Sequence, residues 1–266
     1  MKAHQSAIIS KNAKIANDVE IGPNVFIDDN VEIENGVKIY ANAYITGWTK
    51  VGEGTEIHMG AVVGHLPQDI GFDKSVKSFV TIGKNNVIRE YATIHRSKIE
   101  NGSTKIGNDN YFMAMAHIAH DCIIGNNVVI CNASALGGHV EVEDRAFISA
   151  NCVFHQYVRI GTLAMVQGLS GIGKDVPPYM MAEWRTLIAN YNAVGLRRAG
   201  FSRDAINRIR NAYRLLYISG YSVPHALEEI EKMGDHPELK HLTEFIRSSK
   251  RGICPGRKQK EEEVNE

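Results

Sequence analysis

The chain has 266 residues, 44% of them hydrophobic and 23% charged, a composition typical of a folded protein with one large or two modest domains. Its 30 Lys and Arg residues balance 30 Asp and Glu residues, so no overall positive charge favours nucleic acid or an acidic membrane as a partner. No apolar run approaches the roughly 20 residues of a membrane span, MKAHQSAIIS lacks the apolar core of a signal peptide, and the four cysteines form no CxxC pair. We therefore expect a cytoplasmic protein whose thiols are reduced.

From residue 7 onward, the sequence repeats in units of six. The third place is Ile or Val in ten successive units, from Ile9 through Val63. The period resumes for three units at Ile82 and runs for twelve more from Ile106 to Ile172. A small or β-branched residue lies two places before most of these positions, and Gly, Asn and Asp are frequent between the units. Each unit is therefore predicted to be a short strand with two inward side chains, followed by a turn.

A single unit cannot bury its apolar face, so the units are predicted to stack into a solenoid of parallel strands. The pattern resembles that of the hexapeptide-repeat proteins, whose fold is a left-handed parallel β-helix with three units in each triangular coil. The left hand comes from this resemblance alone, because parallel crossovers are usually right-handed. We predict an all-β solenoid over residues 1–176, a C-terminal α-helical domain over 177–252 and a polar tail over 253–266.

Two interruptions of the period predict loops that leave the solenoid, near residues 65–80 and 95–104. Loops held by a rigid scaffold are where binding groups often lie. The period ends after Val176 at a pair of prolines, and Ser202 then precedes the first long helical pattern as its predicted N-cap. The final segment, GRKQKEEEVNE, is polar and is predicted to fray.

The segment AMAHIAHDCIIG, residues 114–125, holds two histidines and an aspartate: His117, His120 and Asp121. Residues 18 apart should lie above one another in a coil of three units, at the inter-strand spacing of about 4.8 Å. This places Gly138 over His120 and His139 over Asp121. The third coil adds two more polar residues to the same edge: His155 and Gln156.

Three interpretations of this cluster stay open from the residues alone. The first is a set of turn residues that merely face solvent. The second is a zinc site that joins His117 and His120 to a third imidazole, as in γ-class carbonic anhydrases, although ligands two coils apart would lie about 9 to 10 Å apart at the backbone. The third is acyl transfer, with His120 as general base, Asp121 fixing its tautomer and the Gly138 N–H holding an oxyanion. We favour the third, and we expect direct transfer because the cluster contains no Ser or Cys nucleophile.

Five segments carry a family resemblance: AHIAHDCIIGNN, LGGHVEV, VFHQYVRIG, KDVPPY and VGLRRAGFSRDAINRIRNAYRLLY. They are similar to the UDP-N-acetylglucosamine O-acyltransferase family, which begins lipid A synthesis in Gram-negative bacteria. The resemblance implies an enzyme that moves a 3-hydroxyacyl chain from acyl carrier protein to the 3-position of UDP-N-acetylglucosamine. It also implies a homotrimer with active sites between neighbouring solenoids, and no metal or bound cofactor.

Matched residue by residue, the resemblance implies three catalytic positions: His120 as general base, Asp121 as its orienting carboxylate and Gly138 as oxyanion donor. It implies nine substrate-binding positions: Gln68, Asp69, His117, His139, His155, Gln156, Gly168, Asn192 and Arg198. Within that set, Gln68 and Asp69 would meet the glucosamine ring, Gly168 would leave room for a longer acyl chain, and Asn192 and Arg198 would contact the nucleotide. A solvated helix face is the alternative interpretation for Arg198.

Three places depart from the family's pattern. Gly71 stands where most members have Lys, Val194 replaces a carboxylate, and residues 183–186 replace a Gly-Asn segment. Loss of a cation near the acceptor would ease the binding of an amine, so the 3-amino analogue of the sugar remains an alternative acceptor, as does another sugar nucleotide. Trp184 either packs between solenoid and helices, which we favour, or stacks on a base.

Acyl carrier protein is acidic, so we expect a positive patch for its docking. The candidates are six arginines around the first long C-terminal helix: Arg197, Arg198, Arg203, Arg208, Arg210 and Arg214. Ordinary solvated helix charge is the alternative explanation for most of them. A zinc hydrase and a purely structural solenoid remain as alternative functions from other classes.

Overall fold

A computed structural model describes residues 1–257 of the chain. Within them, short strands form three sheets, and each sheet is one face of a three-sided prism. In stacking order, sheet A contains β1 Lys2–Ala3, β4 Glu20–Ile21, β7 Lys38–Ile39, β10 Glu56–Ile57, β13 Val87–Ile88, β16 Tyr111–Phe112, β19 Val129–Ile130, β22 Phe147–Ile148, β25 Met165–Val166, β27 Met180–Glu183 and β28 Leu187–Tyr191.

The other two faces are built in the same way. Sheet B contains β2 Ile8–Ile9, β5 Phe26–Ile27, β8 Tyr44–Ile45, β11 Val62–His65, β14 Thr93–His95, β17 His117–Ile118, β20 Ala135–Leu136, β23 Val153–Phe154 and β26 Gly171–Ile172. Sheet C contains β3 Lys14–Ile15, β6 Glu32–Ile33, β9 Trp48–Val51, β12 Phe79–Ile82, β15 Ser103–Ile106, β18 Ile123–Ile124, β21 Glu141–Val142 and β24 Arg159–Ile160.

Consecutive strands pass from sheet A to B to C and back to A, so each circuit of three strands is one coil. Neighbouring coils pair in parallel, and away from the two loops the partners are 18 residues apart, as for His117 with Ala135. This arrangement confirms the predicted parallel β-helix with three strands in each coil. The core is a ladder of the third-place aliphatics, among them Ile57, Ile118 and Ile148, all of them buried.

The two ends of the solenoid differ. At the N-terminal end, Ile9 and Ile15 of the first coil are only partly buried, because none of residues 1–257 forms a coil beneath them. At the other end, the last coil is covered by a hairpin and by helices. Burial of the aliphatic ladder is therefore complete in the upper coils and incomplete in the lowest one.

The corners of the prism turn through left-handed backbone, which Asn and Asp adopt more readily than most residues. Asn127 has φ of 56°, Asp121 of 63° and His139 of 59°. Two predicted site residues therefore stand at corner positions of adjacent coils.

Both predicted loops leave the prism. The first excursion, residues 66–78, connects β11 to β12, and the second excursion, residues 96–102, connects β14 to β15. They emerge beside the coils that carry His117 and His120, and the excursion residues that reach those coils are described below.

Strands continue beyond the boundary predicted at residue 176. β27 pairs in parallel with β25 and extends sheet A, and β28 then turns back antiparallel to β27. Met180 and Ala182 point into the core, but Pro177 and Pro178 interrupt the six-residue spacing and hide this strand from the pattern.

Four helices follow the hairpin: α1 Ala193–Arg198, α2 Arg203–Tyr217, α3 Val223–Glu231 and α4 Pro237–Arg247. The predicted cap is confirmed, since Ser202 accepts a hydrogen bond from the Ala205 N–H at 3.2 Å. None of the helices in the described part of the chain is long and apolar enough to cross a membrane.

The polar tail begins later than residue 253. Ile253 pairs with Asp175, and Gly256 pairs with Ile188, so the chain returns to the last coil after α4. Cys254 is fully buried there, and its N–H donates to the Asp175 carbonyl at 2.8 Å. The remaining tail residues predicted to fray, 258–266, lie outside the described residues.

Candidate active site

A cleft of about 590 Å³ opens along sheet B, where the first excursion meets three successive coils. Six of the residues singled out from the sequence line it: Gln68, Asp69, His117, His120, Gly138 and Gln156. The outward apolar side chains in the lining are those of Ile70, Ala135 and Val153, whereas Leu136 and Phe154 reach it only at the backbone because their side chains are buried in the solenoid core. The cleft thus combines a few apolar side chains with a group of polar ones, as small-molecule sites commonly do.

The predicted stacking of Gly138 on His120 is confirmed. A Cβ at position 138 would lie 2.5 Å from His120 Cε1 and 2.7 Å from its Nε2, so only glycine leaves room for the imidazole. The N–H of Gly138 has no protein acceptor within residues 1–257 and stands at the cleft. The coil above His120 therefore offers a free backbone donor next to the ring.

His120 is oriented by its neighbour in sequence. Its Nδ1 lies 2.8 Å from Asp121 Oδ2. An ionised carboxylate can only accept, so Nδ1 carries the proton and a neutral imidazole keeps its lone pair on Nε2. Such a ring can take up a proton at Nε2, with the carboxylate stabilising the resulting cation.

Asp121 is held by groups that the sequence analysis did not single out. Ser97 Oγ donates to Oδ1, the backbone N–H of Lys98 donates to Oδ2 at 3.2 Å, and the N–H of Asp121 itself donates to Thr104 Oγ1 at 2.8 Å. Burial opposes ionisation, but the hydrogen bonds from His120, Ser97 and Lys98 outweigh it and keep the pKa of Asp121 below its usual range. The carboxylate is therefore charged at neutral pH and fixed at both oxygens.

His139 stands beside Asp121, as the 18-residue spacing predicts. Its Nε2 lies 3.6 Å from Asp121 Oδ2, too far for a hydrogen bond, and this buried atom has no partner within residues 1–257. Its ring stacks on Tyr157 with centroids 4.5 Å apart. Burial lowers the pKa of His139, which keeps the ring uncharged at neutral pH.

His117 and His95 lie on the other side of the cluster of polar side chains around His120. His117 Nδ1 lies 2.7 Å from Thr93 Oγ1, and the rings of the two histidines lie 5.3 Å apart. Burial, together with the neighbouring histidines, lowers the pKa of His117 to about 4, and burial also lowers the pKa of His95. His95 Nδ1 donates to the Leu66 carbonyl and so ties the first excursion to the coil.

Asp69 lies at the mouth of the cleft in the first excursion. Its Oδ2 accepts from Lys98 Nζ at 2.9 Å, and its Oδ1 accepts from the Gly71 N–H at 2.9 Å. The hydrogen bond from Lys98, followed by the one from Gly71, holds the pKa of Asp69 below its usual range. Gln68 is exposed beside it.

Six of the twelve predicted site residues do not line this cleft within one chain: Asp121 and His139 lie against His120, which does, and the other four lie elsewhere. His155 is on the same edge but is exposed, with its Nδ1 3.1 Å from the Gln156 carbonyl, and it does not line the cleft. Gly168 lies at the edge between sheets A and B, where an added Cβ would come within 3.3 Å of the Ala150 carbonyl. Asn192 and Arg198 lie on a different face of the prism.

That face carries a second cleft, of about 930 Å³, along sheet A. Arg145, Asn192, Val194 and Arg198 line it. Asn192 is the N-cap of α1: its Oδ1 accepts from the Gly195 N–H at 2.9 Å, and its Nδ2 donates to the Leu163 carbonyl at 2.8 Å. The lining includes two arginines and no carboxylate, so this cleft suits an anionic ligand.

Trp184 is not packed between solenoid and helices, and that interpretation is wrong. Its side chain is 72% exposed at the turn between β27 and β28, where its backbone has φ of 51°. The turn carries the indole away from the core, because β27 and β28 bury only the residues that face sheet A's interior.

One of the six candidate docking arginines has a structural role. Arg208 Nε donates to Glu238 Oε1 at 2.7 Å, and this pair joins α2 to the first turn of α4. Arg203, Arg210 and Arg214 are exposed and have no ion pair with any residue that the structure describes. These three therefore remain available on the surface of α2.

The ligand set of the zinc interpretation is not assembled. Within residues 1–257, the one group of side chains whose ligand atoms lie within 4.8 Å of one another consists of His120, Asp121 and His139. His117, which that interpretation paired with His120, is not among them. A metal on His120 Nδ1 would also have to displace the hydrogen bond to Asp121.

Comparison with known proteins identifies relatives of this chain. The model of the family described as UDP-N-acetylglucosamine O-acyltransferase, domain 2, matches residues 175–254, and the bacterial transferase hexapeptide model matches residues 30–65 and 103–138. A protein of Thermodesulfovibrio yellowstonii named acyl-(acyl-carrier-protein) UDP-N-acetylglucosamine O-acyltransferase is 45% identical over 254 residues, which are 94% of this chain and 98% of that protein. A protein of Gloeothece citriformis with the same name is 42% identical over 215 residues, or 79% of this chain and 78% of the relative.

Solved structures give the same result. The UDP-N-acetylglucosamine acyltransferase of Bacteroides fragilis superposes with a TM-score of 0.91 at 42% identity, over 94% of this chain and 98% of its own. The homologous structure from Acinetobacter baumannii superposes with a TM-score of 0.91 at 36% identity, over 95% of this chain and 99% of its own. The chain belongs to the UDP-N-acetylglucosamine O-acyltransferase family.

Proposed function

We propose that this protein transfers a 3-hydroxyacyl chain from the thioester of acyl carrier protein to the 3-hydroxyl of UDP-N-acetylglucosamine. The observation that carries the proposal is the His120–Asp121 pair next to Gly138, whose N–H is free, in the cleft along sheet B. Relatives that are 42% and 45% identical to the chain are named for this reaction.

In the proposed reaction, Nε2 of His120 accepts the proton of the acceptor hydroxyl as the oxygen attacks the thioester carbonyl carbon. The C–O bond forms while the carbonyl electron pair moves to oxygen, and the Gly138 N–H stabilises that oxyanion. The intermediate then collapses, the C–S bond breaks, and the leaving thiolate takes the proton from His120. Asp121 stabilises the transient imidazolium through the 2.8 Å hydrogen bond to Nδ1.

The uncharged histidines support binding of a polar but neutral group. Since the pKa values of His117 and His139 are lowered by burial, both rings can donate or accept without adding charge next to His120. We propose that they contact the sugar or the thioester carbonyl. The outward side chains of Ala135 and Val153 support an acyl chain that runs along sheet B, toward the edge that carries Gly168.

A homotrimer is part of the proposal. Asn192 and Arg198 lie along sheet A, whereas His120 lies along sheet B, so one chain cannot place both groups on one sugar nucleotide. A second copy that turns its sheet A toward the first copy's sheet B would bring them together, and three such contacts close a ring. Arg145 and Arg198 of the second cleft would then meet the pyrophosphate.

The test is a transfer assay with the purified protein. Acyl carrier thioesters of several chain lengths are offered to UDP-N-acetylglucosamine and to its 3-amino analogue, and the product is identified by mass. His120→Ala should lower kcat by about 10² to 10⁴. His225→Ala, on the exposed face of α3, is the matched control and should leave kcat unchanged. A wild type that acylates neither acceptor would refute the proposal, and loss of activity with a chelator would favour the zinc alternative.

A further inference from the structure

The second excursion connects the two carboxylates of the cleft through a single residue. The backbone N–H of Lys98 donates to Asp121 Oδ2 at 3.2 Å, and its Nζ donates to Asp69 Oδ2 at 2.9 Å. Within residues 1–257, no other Lys or Arg forms an ion pair with either carboxylate. Lys98 is therefore held at both ends. Its backbone N–H lies beside the His120–Asp121 pair, and its ammonium group is bound in the first excursion.

The ion pair with Lys98 compensates the negative charge of the Asp69 carboxylate. Its other oxygen is occupied by the Gly71 N–H, so both oxygens already have donors. The Lys98 and Asp69 side chains are 39% and 30% exposed, so solvent screens the pair only in part. A ligand at the mouth of the cleft consequently meets an ion pair and not a free carboxylate.

We infer that Lys98 sets acceptor specificity, favouring a hydroxyl over an amine at the position that is acylated. The inference rests on the proposed function, in which Asp69 meets the sugar ring. It corrects the expectation drawn from Gly71 that the acceptor end has lost its cation, because the second excursion supplies one from another part of the sequence.

Two effects of Lys98 act in the same direction. An aliphatic amine is largely protonated in water at neutral pH, since its pKa is about 8 or above, and the Lys98 ammonium repels that charge. Lys98 also occupies the Asp69 oxygen with which an ammonium would otherwise pair. A hydroxyl carries no charge, so neither effect opposes its binding.

The other charged groups nearby do not cancel this effect. Asp121 is already bonded to His120, Ser97 and the Lys98 N–H, and burial lowers the pKa values of His117 and His139 so that both are uncharged at neutral pH. The charge that an acceptor meets at this end of the cleft is therefore determined by the ion pair of Lys98 with Asp69.

The test compares acceptor discrimination in wild type, Lys98→Met and Lys98→Arg. The kcat/KM values for UDP-N-acetylglucosamine and for its 3-amino analogue are measured at neutral pH with one acyl carrier thioester, and their ratio is taken within each preparation. Because any loss of folded protein cancels in that ratio, partial misfolding does not disturb the result. Lys98→Met should shift the ratio toward the amine by about three- to tenfold, whereas Lys98→Arg, which keeps the charge, should stay close to wild type.

Lys84→Met is the matched control. Lys84 forms a similar ion pair, with Glu53 at 2.9 Å, but neither residue lines the cleft. Its substitution should leave the ratio unchanged. If the wild type acylates these acceptors and Lys98→Met leaves the ratio unchanged, the role of Lys98 is refuted but the proposed function is not. A wild type that acylates neither sugar nucleotide would instead overturn the proposed function.

Discussion

Gly138→Ala is expected to lower the activity of the protein strongly by displacing His120. The new methyl carbon would lie 2.5 Å from Cε1 and 2.7 Å from Nε2 of that ring. Ordinary carbon contacts begin near 3.5 Å, so the imidazole must retreat by about 1 Å, which would break the 2.8 Å hydrogen bond to Asp121. The backbone is not the obstacle, because Gly138 does not have the left-handed φ that would strain an alanine.

A displacement of about 1 Å at a reacting group costs about 10² in rate, so kcat should fall about 100-fold while KM for the sugar nucleotide changes little. The assay is steady-state transfer from acyl carrier thioester to UDP-N-acetylglucosamine, with thermal unfolding as a check on the fold. Gly173→Ala is the control on the same edge of the prism, because its Cβ would meet only Thr186 Oγ1, at 3.6 Å.

The double variant His120→Ala, Gly138→Ala separates the clash from a general weakening of the coil. Removing the imidazole removes the overlap, so Gly138→Ala should lower the Tm of the wild type but not that of His120→Ala, and it should reduce kcat no further in that background. Near-normal kcat in the single Gly138→Ala variant would refute the reasoning, as would an equal loss of Tm in both backgrounds.

Three other predictions follow from the site and its surroundings. Asp121→Asn should lower kcat by about 10² to 10⁴ with little change in KM, since an amide cannot stabilise the imidazolium as a carboxylate does; a kcat close to wild type would contradict the role given to Asp121. Because the folded-state pKa of His117 is about 4, below its unfolded value near 6.5, the unfolded chain binds the extra proton, and stability present above pH 6.5 should be lost as the pH falls toward 4. His117→Gln should flatten the dependence of Tm on pH in that window, and an unchanged slope would count against it. Charge reversal at Arg203 or Arg210 should raise KM for the acyl carrier thioester and leave that for the sugar unchanged, whereas equal effects on both would remove α2 as the docking surface.

The parts of the site that the repeat controls could be predicted from the sequence. A period of 18 residues fixes which side chains lie above one another, so Gly138 over His120 and His139 beside Asp121 follow from counting. The buried positions of the coils follow from the same period.

The parts that leave the repeat could not be predicted. Ser97 and Lys98 belong to the second excursion, where no period relates sequence distance to spatial distance, so their contacts with Asp121 and Asp69 had no signal beyond the presence of the loop. The hairpin of β27 and β28 was missed for a related reason, since two prolines break the spacing while the buried alternation continues. Trp184 was misplaced because a large aromatic residue usually packs, and the hairpin turn holds this one out.

The difference between the two ends of the solenoid should determine the order in which its coils unfold. In a stack where each coil contacts only its neighbours, unfolding starts most easily at a terminus that lacks a cap. Within residues 1–257, the coil of Ile9 and Ile15 has no layer beneath it, whereas the opposite end is covered by the hairpin, the helices and the segment that returns at Ile253. Amide hydrogen exchange should therefore be fastest at the N-terminal coils and slow progressively toward those that carry His120 and Gly138. The residues proposed to carry out the reaction therefore lie in the half of the solenoid that unfolds last.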